Sequence, residues 1–274
     1  MPSSFVIRIL SFGFLLEACA ANASAQRYIL KDGAALAAND VTVAANALVQ
    51  EVKITSGGTY ERRYPFADIA RLDFPEPPAL DEAETLATAG QGEAALKLLE
   101  PVYRQFAPFP QTAGSPWPRA ATLRLQCLLL GTDETAIGAA ARELMSTGLG
   151  PEVTGVAQLA LAQLDTRAGR EALARLMLDE IVKDAPPAVA ARAWLLRGDL
   201  AAARAAHAEA LECYLHIPAF FGSHEDLMPA ALLGAARAYK GYGDTDRAER
   251  TALELLDRHP ATLQAAQAKK EFNL

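Results

Sequence analysis

Three of the four histidines crowd into one stretch, "HAEALECYLHIPAFFGSHED", with Glu209, Glu212, Glu225 and Asp226 among them. Imidazoles and carboxylates at that density are the raw material of a metal site or of an acid–base pair. Glu212 and His216 stand one helical turn apart and could share an ion. A zinc site, however, needs three or four converging ligands, and His207 lies nine positions before His216, on a rotated face of a helix. We therefore expect these side chains to be solvated helix and loop residues, with no metal bound. The pairs Asp81-Glu82 and Glu225-Asp226 read as charges at helix starts and in loops, where a carboxylate meets the positive end of the helix dipole. The chain has no G-x-S-x-G, H-E-x-x-H, P-loop or C-x-x-C pattern, so neither a catalytic residue nor a cofactor is expected. Cys127 and Cys213 are 86 residues apart inside the apolar runs "LQCLLL" and "LECYL"; they read as small buried hydrophobes.

The setting for these residues is a chain of 274 residues with net charge −7, pI near 5.2, 51% hydrophobic and 22% charged residues. Such a composition orders a core and repels phosphate backbones, so nucleic acid is not an expected partner. The first 25 residues read as an export signal: "MPSSFVIR" with one positive charge, the apolar run "ILSFGFLL", and small residues at Ala23 and Ala25 before a cleavage point at Gln26. An alternative maturation is open, because "LEAC" over Leu16–Cys19 resembles a bacterial lipobox, which would lipidate Cys19 and make the product an outer-membrane lipoprotein. Both routes take the protein out of the cytoplasm. No later stretch is apolar for long enough to span a bilayer.

Residues 26–74 read as a small antiparallel β module. "RYILKDGAAL" gives a strand, an Asp-Gly turn and a second strand; "DVTVAANALVQEVKI" is rich in Val, Ile and Thr; "TSGGTYERRYP" turns at Gly57-Gly58, and "FADIARLDF" closes the segment. The order resembles an SH3-like or Sm-like barrel. Sm barrels bind RNA, but the charges of this segment cancel, so the resemblance implies a structural or protein-binding module here. "FPEPP" marks a proline-rich linker over 75–78.

From residue 79 to 274 the chain reads as about five helical pairs and a capping helix, "TLQAAQAKKEF". In "AWLLRGDLAAARAAHAEALECYL", Trp194, Gly198, Ala210 and Tyr214 stand at the spacing of W-x3-G and A-x3-aromatic, while Arg197 and Ala201 depart from the pattern's Leu and Tyr. In "AYKGYGDTDRAERTALELLDRHP" and the residues before it, Leu232, Ala236, Tyr239, Ala248, Ala252 and Pro260 fill the same places, and Gly243 makes the turn. A third unit has Ala162, Gly169, Ala174, Leu178 and Pro186. Unit starts near Gly155, Ala191 and Pro229 are 36 and 38 residues apart, against a repeat of about 34. These residues resemble the tetratricopeptide repeat (TPR) family, of the type exported to the bacterial envelope. The resemblance implies a mostly α chain, a right-handed α-solenoid preceded by the β module, in which each hairpin buries its second face on its neighbours.

The family binds extended peptides or partner segments on the concave face lined by the first helix of each pair. Carried onto this sequence, that face presents Gln163, then Arg192, Leu195 and Asp199, then Leu233, Arg237 and Lys240. The expected partner is an envelope protein or an extended peptide, acidic or offering its C-terminal carboxylate, which arginine grips through two hydrogen bonds. The functional expectation is a non-enzymatic periplasmic scaffold. Two alternatives stay open: an outer-membrane lipoprotein component of an envelope assembly machine, and an envelope enzyme with a site in the sheet–solenoid cleft. The aromatic loop "FAPFPQTAGSPWP", with Phe106, Phe109 and Trp117, is expected to be pinned to the solenoid.

Overall fold

The computed structural model describes residues 26–274 except Ser56. The stretch read as an export signal, its expected cleavage point after Ala25, and Cys19 therefore lie outside the described residues. Among the described residues, six strands precede eleven helices, and no helix is long and apolar enough to cross a membrane. The chain divides into two compact units: residues up to Thr85 with Lys97–Ala120, and Leu86–Leu96 with Ala121–Leu274.

The first unit holds two three-stranded antiparallel sheets. β1 (Arg27–Leu30) lies between β2 (Ala35–Ala37) and β6 (Ile69–Asp73). The Asp-Gly turn after β1 forms because Gly33 takes a φ of 88° and the Asp32 carboxylate accepts the Ala34 N–H at 2.9 Å. β4 (Ala47–Ile54) lies between β3 (Thr42–Val43) and β5 (Gly58–Pro65), with Leu48 opposite Tyr64 and Gln50 opposite Arg62. Strand alternation buries Tyr28, Leu30, Leu48, Tyr64, Ile69 and Leu72 and leaves the charged neighbours outside. The sequence suggests that the loop after residue 106 is pinned by its aromatics to the solenoid; among the described residues its aromatic contacts lie in the first unit. There Phe109 meets Tyr28 at 5.6 Å and Phe66 at 4.9 Å, and Phe106 meets Phe74 edge-on at 5.5 Å. The Leu72 N–H donates to the Ala113 carbonyl at 2.8 Å. Next to it, a Cβ on Gly114 would run into the Leu72 carbonyl oxygen, and φ there is 74°. Only glycine fits both conditions.

The helices are α1 (Ala79–Thr88), α2 (Gly92–Phe106), α3 (Trp117–Leu129), α4 (Glu134–Ser146), α5 (Pro151–Arg167), α6 (Glu171–Asp184), α7 (Pro187–Ala203), α8 (His207–Phe220), α9 (Met228–Tyr242), α10 (Thr245–Arg258) and α11 (Leu263–Phe272). Their ends carry the expected punctuation. Pro151, Pro187 and Pro229 open α5, α7 and α9 in the first turn, where a missing N–H does no harm. Gly243 ends α9 at φ 93°, and Asp244 then caps α10 by accepting the Arg247 N–H at 3.0 Å.

In the second unit each helix from α4 to α11 packs on the next, and the first helices of successive pairs also touch: α5 with α7, α7 with α9, and α9 with α11. This second set of contacts is what makes a solenoid rather than a string of hairpins. The core is built of small residues, with Ala157, Ala160, Ala174, Ala191, Ala193, Ala201, Ala210, Ala236 and Ala252 fully or almost fully buried. They let helix axes approach closely, and the larger side chains fill what remains. Tyr214 shows the principle. A Cβ on Gly198 of α7 or on Gly234 of α9 would each come within 2.6 Å of its ring. The phenol of α8 is therefore wedged between two backbones that carry no side chain at that point.

Candidate functional site

The histidine cluster does not converge. His216 stacks on Trp194 with centroids 4.0 Å apart and leans on Phe220 at 4.5 Å, while the ring of His207 fills the space beside Gly241. Among the described residues no group of three His, Cys, Asp or Glu side chains is placed to hold a metal ion. Burial lowers the His216 pKa, the Arg197 charge adds to that and Glu212 opposes it, which favours the neutral ring in this aromatic stack. Arg197 completes this stack by lying 4.4 Å over the Trp194 ring. Cys127 and Cys213 are buried free thiols, and burial pushes the Cys213 thiol up to about 11, away from nucleophilic use.

The seven residues assigned to the partner face fall on three neighbouring first helices, Gln163 on α5, Arg192, Leu195 and Asp199 on α7, and Leu233, Arg237 and Lys240 on α9. Gln163, Arg192 and Leu195 are half-buried, and Asp199, Arg237 and Lys240 are exposed. Leu233 is different. It is 3% exposed, in a cluster with Ala265 and Ala268, because α11 covers that side of α9. Leu233 is thus core and offers no contact to a partner.

Each arginine of the face already holds a carboxylate. Arg192 donates to Asp226 at 3.0 Å, from the loop before α9. Arg237 donates through Nε to Glu271 at 2.8 Å and through Nη2 to the second oxygen, a two-pronged grip on the last turn of α11. The Lys240 ammonium donates to the Glu271 main-chain carbonyl at 3.2 Å and lies 5.1 Å from the Phe272 ring centre. Behind them, the Tyr214 hydroxyl donates to Asp199 at 2.8 Å. Although the residue is exposed overall, desolvation of its carboxyl beside Tyr214 raises the Asp199 pKa, while the Tyr214 hydrogen bond and the Arg237 charge pull it back. The Arg237 hydrogen bond holds Glu271 below the usual carboxylate range. Four helices, α7, α8, α9 and α11, thus bring polar and charged groups together along α9, with the Asp199 charge acting on Arg237.

Asp226 and Glu271 escape a reading of each helix face alone. A signal is present: both carboxylates follow their arginines by 34 residues, one repeat later, where a solenoid places the next unit beside the last. A second concavity leaves no such signal. Between α5 and α6 a cavity of about 540 Å³ is lined by Leu173, Leu176, Met177 and Ile181, with Thr154 and Gln158. Leu173 and Leu176 are exposed, outside the buried stripe of Ala174, Leu178 and Ile181.

No protein-family model matches the chain, and no curated protein matches it in sequence. Solved structures do match. The chain superposes on TTC0263, a thermophilic TPR protein of Thermus thermophilus, with TM-score 0.54 and 20% identity over 73% of this chain and 100% of that one. It also superposes on YrrB, a TPR protein with an unusual peptide-binding site, with TM-score 0.40 and 15% identity over 72% of this chain and 92% of that one. The first likeness establishes the fold. The chain is a TPR-type helical-repeat solenoid preceded by small antiparallel sheets.

Proposed function

We propose that this chain is a non-enzymatic adaptor of the bacterial cell envelope, which holds a partner protein or extended peptide on the face shared by α5, α7 and α9. One observation carries the reading: Arg192 and Arg237, on successive first helices, are both set to grip carboxylates. Fixed cations on a chain of net charge −7 favour an acidic segment or a terminal carboxylate, and Leu195 between them supplies apolar contact. The signal-like pattern of the first 25 residues supports delivery to the periplasm. The family's habit of binding on first-helix faces supports the location of the site.

The test is capture from an envelope extract by the immobilised mature chain, parent against Arg192→Glu with Arg237→Glu. Loss of the captured partner by a double mutant with the parent's circular dichroism supports the reading, because exposed charges contribute little to folding. Full recovery of the partner by that mutant overturns it. The intact mass of the exported protein tests delivery: a chain starting at Gln26 is expected, and a diacylglyceryl chain starting at Cys19 would instead make it a lipoprotein.

A further inference from the structure

We infer that this face is closed by the chain's own last turn, and that its partner presents a carboxylate next to an aromatic side chain, taking the places of Glu271 and Phe272. The inference rests on the partner face proposed above. It starts from a division within α11. The residues that anchor this helix are Ala265 and Ala268, buried against Leu232, Leu233, Ala236, Ala252 and Leu255. After Ala268 no residue of the chain is buried. The turn that follows is ended by Asn273 in the left-handed conformation, φ 56°. Its hold on α9 is mainly polar: Glu271 on Arg237 and the Glu271 carbonyl on Lys240, with the half-buried Phe272 ring beside the ammonium and against the edge of the apolar cluster. A turn held largely by exposed groups lies at the low end of local stability, so its opening does not require the anchoring alanines to leave their place.

The contacts also state what Arg237 and Lys240 accept. The guanidinium holds a planar carboxylate by two hydrogen bonds, and the ammonium sits against an aromatic face belonging to the next residue. The side chains of Arg237 and Glu271 remain 49% and 36% exposed in this pairing, so the pair is open to competition from solvent. Asp199, which accepts from Tyr214, also acts on Arg237 through its charge. A partner segment with acidic and aromatic residues in succession satisfies both cations at once, and it competes with an intramolecular copy of the same chemistry.

The probe is a fluorescent peptide with the chain's own last six residues, "KKEFNL", and a control in which its Glu is Gln. It is titrated onto the full-length parent, onto Glu271→Ala with Phe272→Ala, and onto that variant with Arg237→Glu added. The opened variant is expected to bind the peptide about five- to tenfold more tightly than the parent, the range of a single charge-assisted grip at a surface. The Gln control and the Arg237→Glu protein should not bind. Melting near the parent's confirms that the anchoring alanines still hold α11. Equal affinity for parent and opened variant, or no binding to either, overturns the closure. Capture of the envelope partner by the Arg192→Glu, Arg237→Glu protein is read separately: its loss leaves the face standing even where the closure fails.

Discussion

In the first unit the core is made by rings meeting rings. Tyr28, Phe66, Phe74, Phe106 and Phe109 touch at centroid distances between 4.9 and 5.6 Å, mostly edge to face. In the second unit the corresponding work is done by leaving side chains out. The Tyr214 ring occupies the space that a Cβ at 198 or 234 would need, and Val189 packs within 2.6 Å of where a Cβ on Gly155 would be. Short strands cannot come closer to one another than their hydrogen-bonded spacing, so a small sheet fills its interior with large residues. Helices have no such limit, and alanine and glycine let them close in until backbone meets ring. The two units should therefore fail in opposite ways, the first to truncation and the second to enlargement.

The largest effect is expected from truncation in the first unit. Phe109→Ala should cost about 3–5 kcal/mol, the usual range for a buried large aromatic. Amide exchange should show the loss in β1 and β6, whose residues Tyr28 and Leu72 pack in the same unit. A loss below about 1 kcal/mol would break the comparison. Next comes enlargement in the second unit. Gly234→Ala should cost about 1–3 kcal/mol in the parent, because the new methyl meets the Tyr214 ring. In a Tyr214→Ala background the same change should turn neutral or stabilising by up to about 1 kcal/mol, since alanine is the better helix residue once the ring is gone. Denaturant unfolding of the four proteins measures this reversal, and a cost that stays the same in both backgrounds would mean that the ring is not wedged between the two helices. The smallest effect concerns the turns. Gly169 and Gly243 close α5 and α9 with φ of 71° and 93°, but Ala205 stands at the equivalent turn after α7 with φ 56°. Ala205→Gly should stabilise by about 0.5–1 kcal/mol, because alanine is strained in the left-handed region. Unchanged melting would show that the backbone there relaxes.

The helical pairs are legible in the sequence because their signals are local. Gly169, Gly243 and the prolines at 151, 187 and 229 mark turns within a few residues of where they act, and Gly198 with Tyr214 sits at family spacing. What escapes needs knowledge of the next unit. Leu233 looks like a groove residue because helical spacing places it in line with Arg237; only the docking of α11 shows that this side of α9 is covered. The carboxylates that hold Arg192 and Arg237 lie 34 residues away, beyond the reach of any single helix face. The destination of the loop at Phe106 and Phe109 is hidden for the same reason. Aromatic residues report that a loop is anchored but not to what, and a sheet more than thirty residues upstream leaves no local trace.

The anchoring of that loop bears on how the chain meets a protease. A cleavable segment has to leave the surface and enter an active site in extended form over several residues, and exposed loops without regular structure are where that happens. Between Phe106 and Trp117 the backbone has no long regular element, yet three of its aromatic side chains are almost wholly enclosed and its Ala113 carbonyl is tied to a strand. Lifting Phe109 into a chymotrypsin-like pocket would mean extracting it from Tyr28 and Phe66 first. The stretch also contains no lysine or arginine from 105 to 118, which removes it from trypsin altogether. A segment that looks like the weak point of the chain is, to a digestive enzyme, part of its interior.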